Sequence, residues 1–147
     1  LGLIQQPEQM AKLRADPMLM PKAVDEFIRW TSPVKHFFRT AIQDYELRDR
    51  HIRAGDSLMM CYPSGNRDDE VFEAPFEFRV DRFPNRHLAF GYGPHLCLGQ
   101  YLAKLEMKTL FHELLTRVDG IQLAGDPAWV EANFVSGLKR LPISYRF

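Results

Sequence analysis

Apolar positions recur at helical spacing in two stretches of the chain and lose that spacing between them. From Pro21 to about Trp30, Ala23, Val24, Phe27 and Ile28 share one side of a helix. Ser32-Pro33 ends it, because the residue before proline avoids the helical region. From Leu98 to Val118, Leu98, Leu102, Leu105, Met107, Leu110, Phe111, Leu114 and Leu115 form a broad apolar face, which predicts a long, deeply buried helix stopped near Gly120. Pro7 suits the first position of a shorter helix running to about Ala15 and closed by Asp16-Pro17. Leu1-Gly2-Leu3-Ile4 reads as the last turn of another, with no capping residue ahead of it. Between the helices, Val34–Ile42 is rich in aromatic and β-branched residues. Tyr45–Leu47 and His51–Arg53 flank the charged turn Arg48-Asp49-Arg50, and Ser57–Tyr62 follows a turn at Ala54-Gly55-Asp56. One small antiparallel sheet is the expectation. Pro63 to His87 has no period; a coil that long is functional or tied down by specific contacts. Ile121–Phe147 reads as short strands with turns at Gly125-Asp126-Pro127 and Ser136-Gly137.

Composition narrows the function classes. The 147 residues amount to about one domain, and 46% hydrophobic with 26% charged is an ordinary globular balance rather than a disordered one. Nineteen basic residues against nineteen acidic ones leave no net charge, so neither a nucleic acid nor a polybasic membrane contact is expected. The longest apolar run, Leu58–Tyr62, is far short of the ~20 residues of a membrane span. Two cysteines, Cys61 and Cys97, make no disulfide scaffold and point to a reducing cytoplasm. The chain begins with Leu1 inside an apolar pattern, so it is expected to be a portion of a longer chain, and a missing targeting segment carries no information.

Chemistry concentrates in Phe90-Gly91-Tyr92-Gly93-Pro94-His95-Leu96-Cys97-Leu98-Gly99. Two glycines and a proline force a tight loop that delivers Cys97 to the first turn of the long helix, where free N–H groups and the helix dipole favour a thiolate. A thiolate there is a nucleophile or a metal ligand, and Gly99 leaves room for something flat and large to approach the backbone. From the residues alone, three other readings stay open: a small buried hydrophobe, a zinc site using His87, His95 and Cys97, and a nucleophilic Cys97 activated by His95.

The loop resembles the haem-binding loop of the cytochrome P450 monooxygenases, Phe-Gly-x-Gly-x-His-x-Cys-x-Gly, with every fixed position filled. The resemblance implies that Cys97 is the axial thiolate of a haem b iron, that Phe90 shields its sulfur and that His95 donates to a propionate, with Gly91 and Gly99 shaping the cradle. Glu26-Phe27-Ile28-Arg29 resembles the family's Glu-x-x-Arg motif, which on its own is an ordinary i,i+3 ion pair. Arg82 sits where the family closes that pair into a structural triad. Arg39, ten residues beyond Arg29, matches an arginine that neutralises a propionate in bacterial members. Asn66-Arg67-Asp68 matches a further structural segment.

The implied fold is mainly α with small antiparallel β-sheets: the C-terminal, proximal part of the P450 fold. All 147 residues are one portion of a larger domain whose N-terminal part carries the distal helix and its acid–alcohol pair. No catalytic acid lies in this segment, so the portion alone is expected to be inactive; a non-catalytic remnant of the fold is the alternative. The implied reaction is hydroxylation of a small lipophilic substrate by O2. Its two electrons come from NAD(P)H through a reductase and a ferredoxin-type protein, and the whole protein acts as a cytoplasmic monomer. Val34, Phe37, Phe134 and Val135 are expected to face substrate, and Arg86, Lys104 and Lys108 the acidic redox partner. The segments around Asn66, Arg82 and Gln100 look most like the bacterial members that hydroxylate terpineol, which implies a terpenoid class of substrate.

Overall fold

A computed structural model describes residues Leu1–Phe147. The helices are α1 (Gly2–Gln5), α2 (Pro7–Ala15), α3 (Met20–Thr31), the single turn α4 (Tyr62–Gly65) and α5 (Gln100–Arg117). Pro7 and Pro21 each sit in a first turn, where a missing N–H leaves no bond unmade. Asp16 accepts the Met18 N–H at 3.0 Å and so starts the 3-10 turn Pro17–Leu19 between α2 and α3. Helix α3 ends at Ser32, which adopts a left-handed conformation (φ 40°) and returns its hydroxyl to the Arg29 carbonyl at 2.8 Å.

The strands β1 (His36–Thr40), β2 (Tyr45–Leu47), β3 (Arg50–Ile52) and β4 (Ser57–Cys61) do not join into the one sheet expected. They make two separate antiparallel ladders, β1 with β4 and β2 with β3. Thr40 pairs with Ser57, so the β2–β3 hairpin projects beyond the β1–β4 ladder instead of extending it. Strands β5 (Asp119–Leu123) and β8 (Ile143–Arg146) pair around the inner pair β6 (Ala128–Trp129) and β7 (Leu138–Arg140). Isolated two-stranded ribbons are marginal in water; β5 packs on α1, whereas β2 and β3 are almost wholly exposed.

The core gathers on α3. Ala23, Val24, Phe27 and Ile28 are buried against Phe78 and Val80 of the coil and Leu115 of α5. Phe27 stacks on Phe78 with ring centroids 5.9 Å apart and meets Phe111 at 4.6 Å. The deep burial expected for α5 is not what the chain adopts. Only Leu115 within the helix is buried, while Leu98, Leu102, Leu105 and Leu110 are each more than half exposed. Its apolar residues extend around more of the cylinder than α3 and the core can cover. No helix is long and apolar enough to cross a membrane.

Candidate functional site

The loop before α5 is built by its backbone. Gly91 and Gly93 take positive φ (75° and 65°), conformations that L side chains resist. A Cβ on Gly91 would also lie 3.2 Å from the His95 carbonyl oxygen. Three short-range bonds close the loop: Gly91 N–H to Leu88 O at 2.8 Å, Leu96 N–H to Gly93 O at 3.0 Å and Cys97 N–H to Phe90 O at 2.8 Å. His95 ends a 3-10 turn, Gly93–His95. Cys97 stands three residues ahead of α5 rather than inside its first turn. The Gln100 N–H reaches the Cys97 carbonyl at 3.3 Å, so one tighter turn carries the helix back to the cysteine.

Cys97 is a free, exposed thiol in a cleft of about 540 Å³. Val34, Phe37, Ala103 and Met107 form apolar walls, and Arg39 and His95 share the cleft as its basic side chains. The lining contains no carboxylate. A Cβ on Gly99 would touch only the Cys97 sulfur, at 4.0 Å, so the space beside the sulfur is open. One soft sulfur donor, apolar walls and basic groups without an acid fit an iron porphyrin with two propionates. They do not fit zinc: no three His, Cys, Asp or Glu side chains converge, and His87 turns away to Asp25.

Behind the cleft, Glu26, Arg29 and Arg82 meet in the interior, each at most 4% exposed. Arg29 grips Glu26 with both arms, Nε to Oε2 at 2.7 Å and a terminal nitrogen to Oε1 at 2.8 Å. Arg82 Nε reaches Glu26 Oε2 at 3.1 Å. The Arg79 N–H and Asn85 Nδ2 add bonds to the same carboxylate at 2.9 and 3.1 Å. The remaining guanidinium donors go to the coil: Arg29 to the carbonyls of Asn66, Pro75 and Glu77, Arg82 to those of Glu73, Ala74 and Glu77. This is a buried hub rather than the surface i,i+3 pair that Glu-x-x-Arg forms alone. Asn66 staples the two ends of the coil, taking the Leu88 N–H at 2.7 Å and giving its amide to Ser32 Oγ at 2.9 Å. Burial and the Arg29 charge, partly offset by Glu26, lower the pKa of Arg67, which donates to the Trp30 carbonyl and lies over the Trp30 ring.

Val34, Phe37, Phe134 and Val135 come together beside the cleft. Val34 bridges Val135, and Phe37 meets Phe134 edge-on with centroids 5.3 Å apart. Val34 and Phe37 line the cleft itself; Phe134 and Val135 stand behind them. Lys35, which has no evident purpose on an apolar strand, donates Nζ to the Ala132 carbonyl at 2.6 Å and so fastens the C-terminal turn to β1. The His36 ring packs against Phe38 and Phe134.

Of the three basic residues expected at a partner face, Arg86 and Lys108 are exposed. Lys104 is not free: its ammonium pairs with Asp25 Oδ1 at 2.8 Å and lies 5.8 Å from the Phe90 ring centre. Sequence reasoning missed Asp25. Burial raises its pKa, but the hydrogen bonds and charges of His87 and Lys104 outweigh that and hold the carboxyl below its usual value. An acid at 25 and a lysine at 104 lie on different helices, so no spacing rule links them.

The family model described as cytochrome P450 matches residues 3–128. Cytochrome P450-terp from a Pseudomonas species is 54% identical over 145 residues, covering 99% of this chain and 34% of that protein. A steroid C26-monooxygenase of Mycolicibacterium smegmatis is 42% identical, covering 97% of this chain and 36% of the relative. Among solved structures, cytochrome P450-153 from Novosphingobium aromaticivorans superposes with a TM-score of 0.93 at 40% identity, covering 99% of this chain and 37% of that one. The chain therefore spans about a third of the length of the curated relatives it matches.

Proposed function

Because this chain belongs to the cytochrome P450 family, we propose that it forms the thiolate wall of a haem monooxygenase that hydroxylates a small lipophilic molecule. The observation that carries this reading is the single thiol of Cys97 in an apolar cleft whose only basic residues are Arg39 and His95. Bound haem supplies activation of dioxygen, one oxygen atom passing to a C–H bond and the other leaving as water with two electrons and two protons.

The chain's own residues bind, orient and shield. With haem bound, Cys97 would give its sulfur to the iron, and Phe90, whose carbonyl holds the Cys97 N–H, would sit against the bound group on the sulfur side. Arg39 and His95 neutralise the propionates, and Gly91 and Gly99 keep the cradle shallow. Glu26, Arg29 and Arg82 keep the coil folded behind the loop. Val34 and Phe37 meet the substrate, backed by Phe134 and Val135.

The 54% identity to cytochrome P450-terp supports a terpenoid-sized substrate over a steroid-sized one. Electrons come from NAD(P)H through a reductase and a ferredoxin-type carrier that docks on Arg86 and Lys108, with Lys104 contributing less because Asp25 offsets its charge. Residues 1–147 act as part of a larger domain, which the open apolar side of α5 and the length of the relatives support. Two free cysteines suit a cytoplasmic setting.

The reaction is tested on the larger haem-loaded domain of which residues 1–147 are proposed to be part, by supplying it with electrons, a monoterpene alcohol and isotopically labelled dioxygen. One labelled oxygen in the product is the expected result. Haem-loaded protein that gives no labelled product with terpenoid or steroid substrates contradicts the reading.

A further inference from the structure

Two consecutive acids on α3 serve two different neighbourhoods. Successive residues on a helix point about 100° apart. Glu26 therefore turns into the coil hub, while Asp25 faces the seam between α3, α5 and the segment that leads into the thiol loop. Asp25 Oδ1 receives Lys104 Nζ from α5 at 2.8 Å and His87 Nε2 from that segment at 3.4 Å. The His87 side chain is only 6% exposed, and its Nδ1 has no partner, so Asp25 is its one polar anchor. Both side chains that Asp25 holds then rest on the same ring: the His87 and Phe90 centroids are 5.8 Å apart, and Lys104 Nζ is 5.8 Å from the Phe90 centre. Phe90 in turn accepts the Cys97 N–H at 2.8 Å.

We infer that Asp25 is a positioning residue for the thiol loop, fixing Phe90 through His87 and Lys104 and thereby the placement of Cys97. Lys104 is on this account a strut between α5 and α3. A second side-chain tie lies at the start of the loop, where Asn66, itself bonded to Ser32 at the end of α3, takes the Leu88 N–H at 2.7 Å. From Phe90 to Gln100 the hydrogen bonds are backbone to backbone, and these shape the loop without fixing the Phe90 ring against α3. The inference rests on the haem-thiolate reading only for its spectroscopic consequence; the geometry stands without it.

Amide hydrogen exchange on the full chain carrying Asp25→Asn tests the positioning, with Asp25→Glu as the conservative variant. Exchange at Cys97 is expected to rise about tenfold while amides of the coil at 77–82 stay within about twofold, and Asp25→Glu is expected to recover most of the difference. Lys104→Met removes one of the two arms at a partly exposed site, so it keeps the test open if Asp25→Asn folds poorly; it is expected to give a smaller rise confined to 90–97. In the haem-loaded protein, Asp25→Asn is expected to shorten the lifetime of the thiolate-ligated carbon-monoxide spectrum several-fold. Unchanged exchange at Cys97, or a uniform rise over the whole chain, overturns the inference. If the unsubstituted protein takes up no haem but the exchange pattern appears, the haem reading falls and the positioning role of Asp25 stands.

Discussion

The least regular stretch of this chain is among its best buried, and its most regular helix is among its most exposed. Between Asn66 and Ala89 there is no helix or strand, yet Asn66, Phe72, Phe78, Val80, Arg82 and Ala89 are all buried. Helix α5 runs 18 residues with leucines throughout and buries only Leu115. The difference is one of attachment. The coil is held by directed bonds from Glu26, Arg29, Arg82 and Asn66, which together satisfy carbonyls that a coil would otherwise leave bare. Helix α5 satisfies its own backbone and needs only apolar cover, which α3 supplies along one side. A polar hub is demanding: each donor and acceptor must find its partner, so it fixes the coil in one arrangement. An apolar helix face accepts any cover of suitable shape.

The largest effect should come from removing the hub's only carboxylate. Glu26→Ala leaves two guanidiniums buried without their counter-charge and should lower unfolding free energy by about 3–5 kcal/mol in denaturant melts. A loss below 1 kcal/mol would mean that the carbonyls alone hold the coil. A smaller effect is expected from acid. Asp25 and Asp81 both have carboxyls held below their ordinary pKa, Asp25 by His87 and Lys104 against the opposing effect of burial, and Asp81 chiefly by its hydrogen bond from Lys12. A depressed folded value means that the folded chain binds fewer protons than the unfolded one. The stability they contribute is therefore present above about pH 4 and lost as pH falls through the folded values. Because both pairs are partly open to water, the loss should be about 1 kcal/mol or less, and Asp25→Asn should flatten the acid limb of a melt series. The smallest effect belongs to the open side of α5. Leu105→Gln should change the stability of this chain by less than about 0.5 kcal/mol while reducing its self-association in light scattering. A loss of several kcal/mol there would show that the face is covered in solution.

Much of this was legible in the sequence where the physics is local. Pro7 and Ala15 bound α2 as the proline and Asp16-Pro17 imply, and the Gly91 and Gly93 turns follow from residue type. The coil without a period turned out to be tied down, as a coil of its length must be. What stayed hidden depends on where distant segments land. Strand-like composition marks β1 to β4 but not that they split into two ladders, and nothing near Asp119 announces that β5 pairs with β8 around β6 and β7. The apolar face of α5 was visible; how much of it this chain covers was not. Lys35 and Asp25 look purposeless until Ala132, His87 and Lys104 arrive beside them.

The central claim is that Cys97, and not Cys61, carries the iron. Both thiols are free and exposed, so chemistry at cysteine in general does not separate them. The reduced, carbon-monoxide-bound spectrum of the haem-loaded protein does. A strongly red-shifted Soret band is expected that survives Cys61→Ser and disappears in Cys97→Ser. A red-shifted band that persists in Cys97→Ser would contradict it.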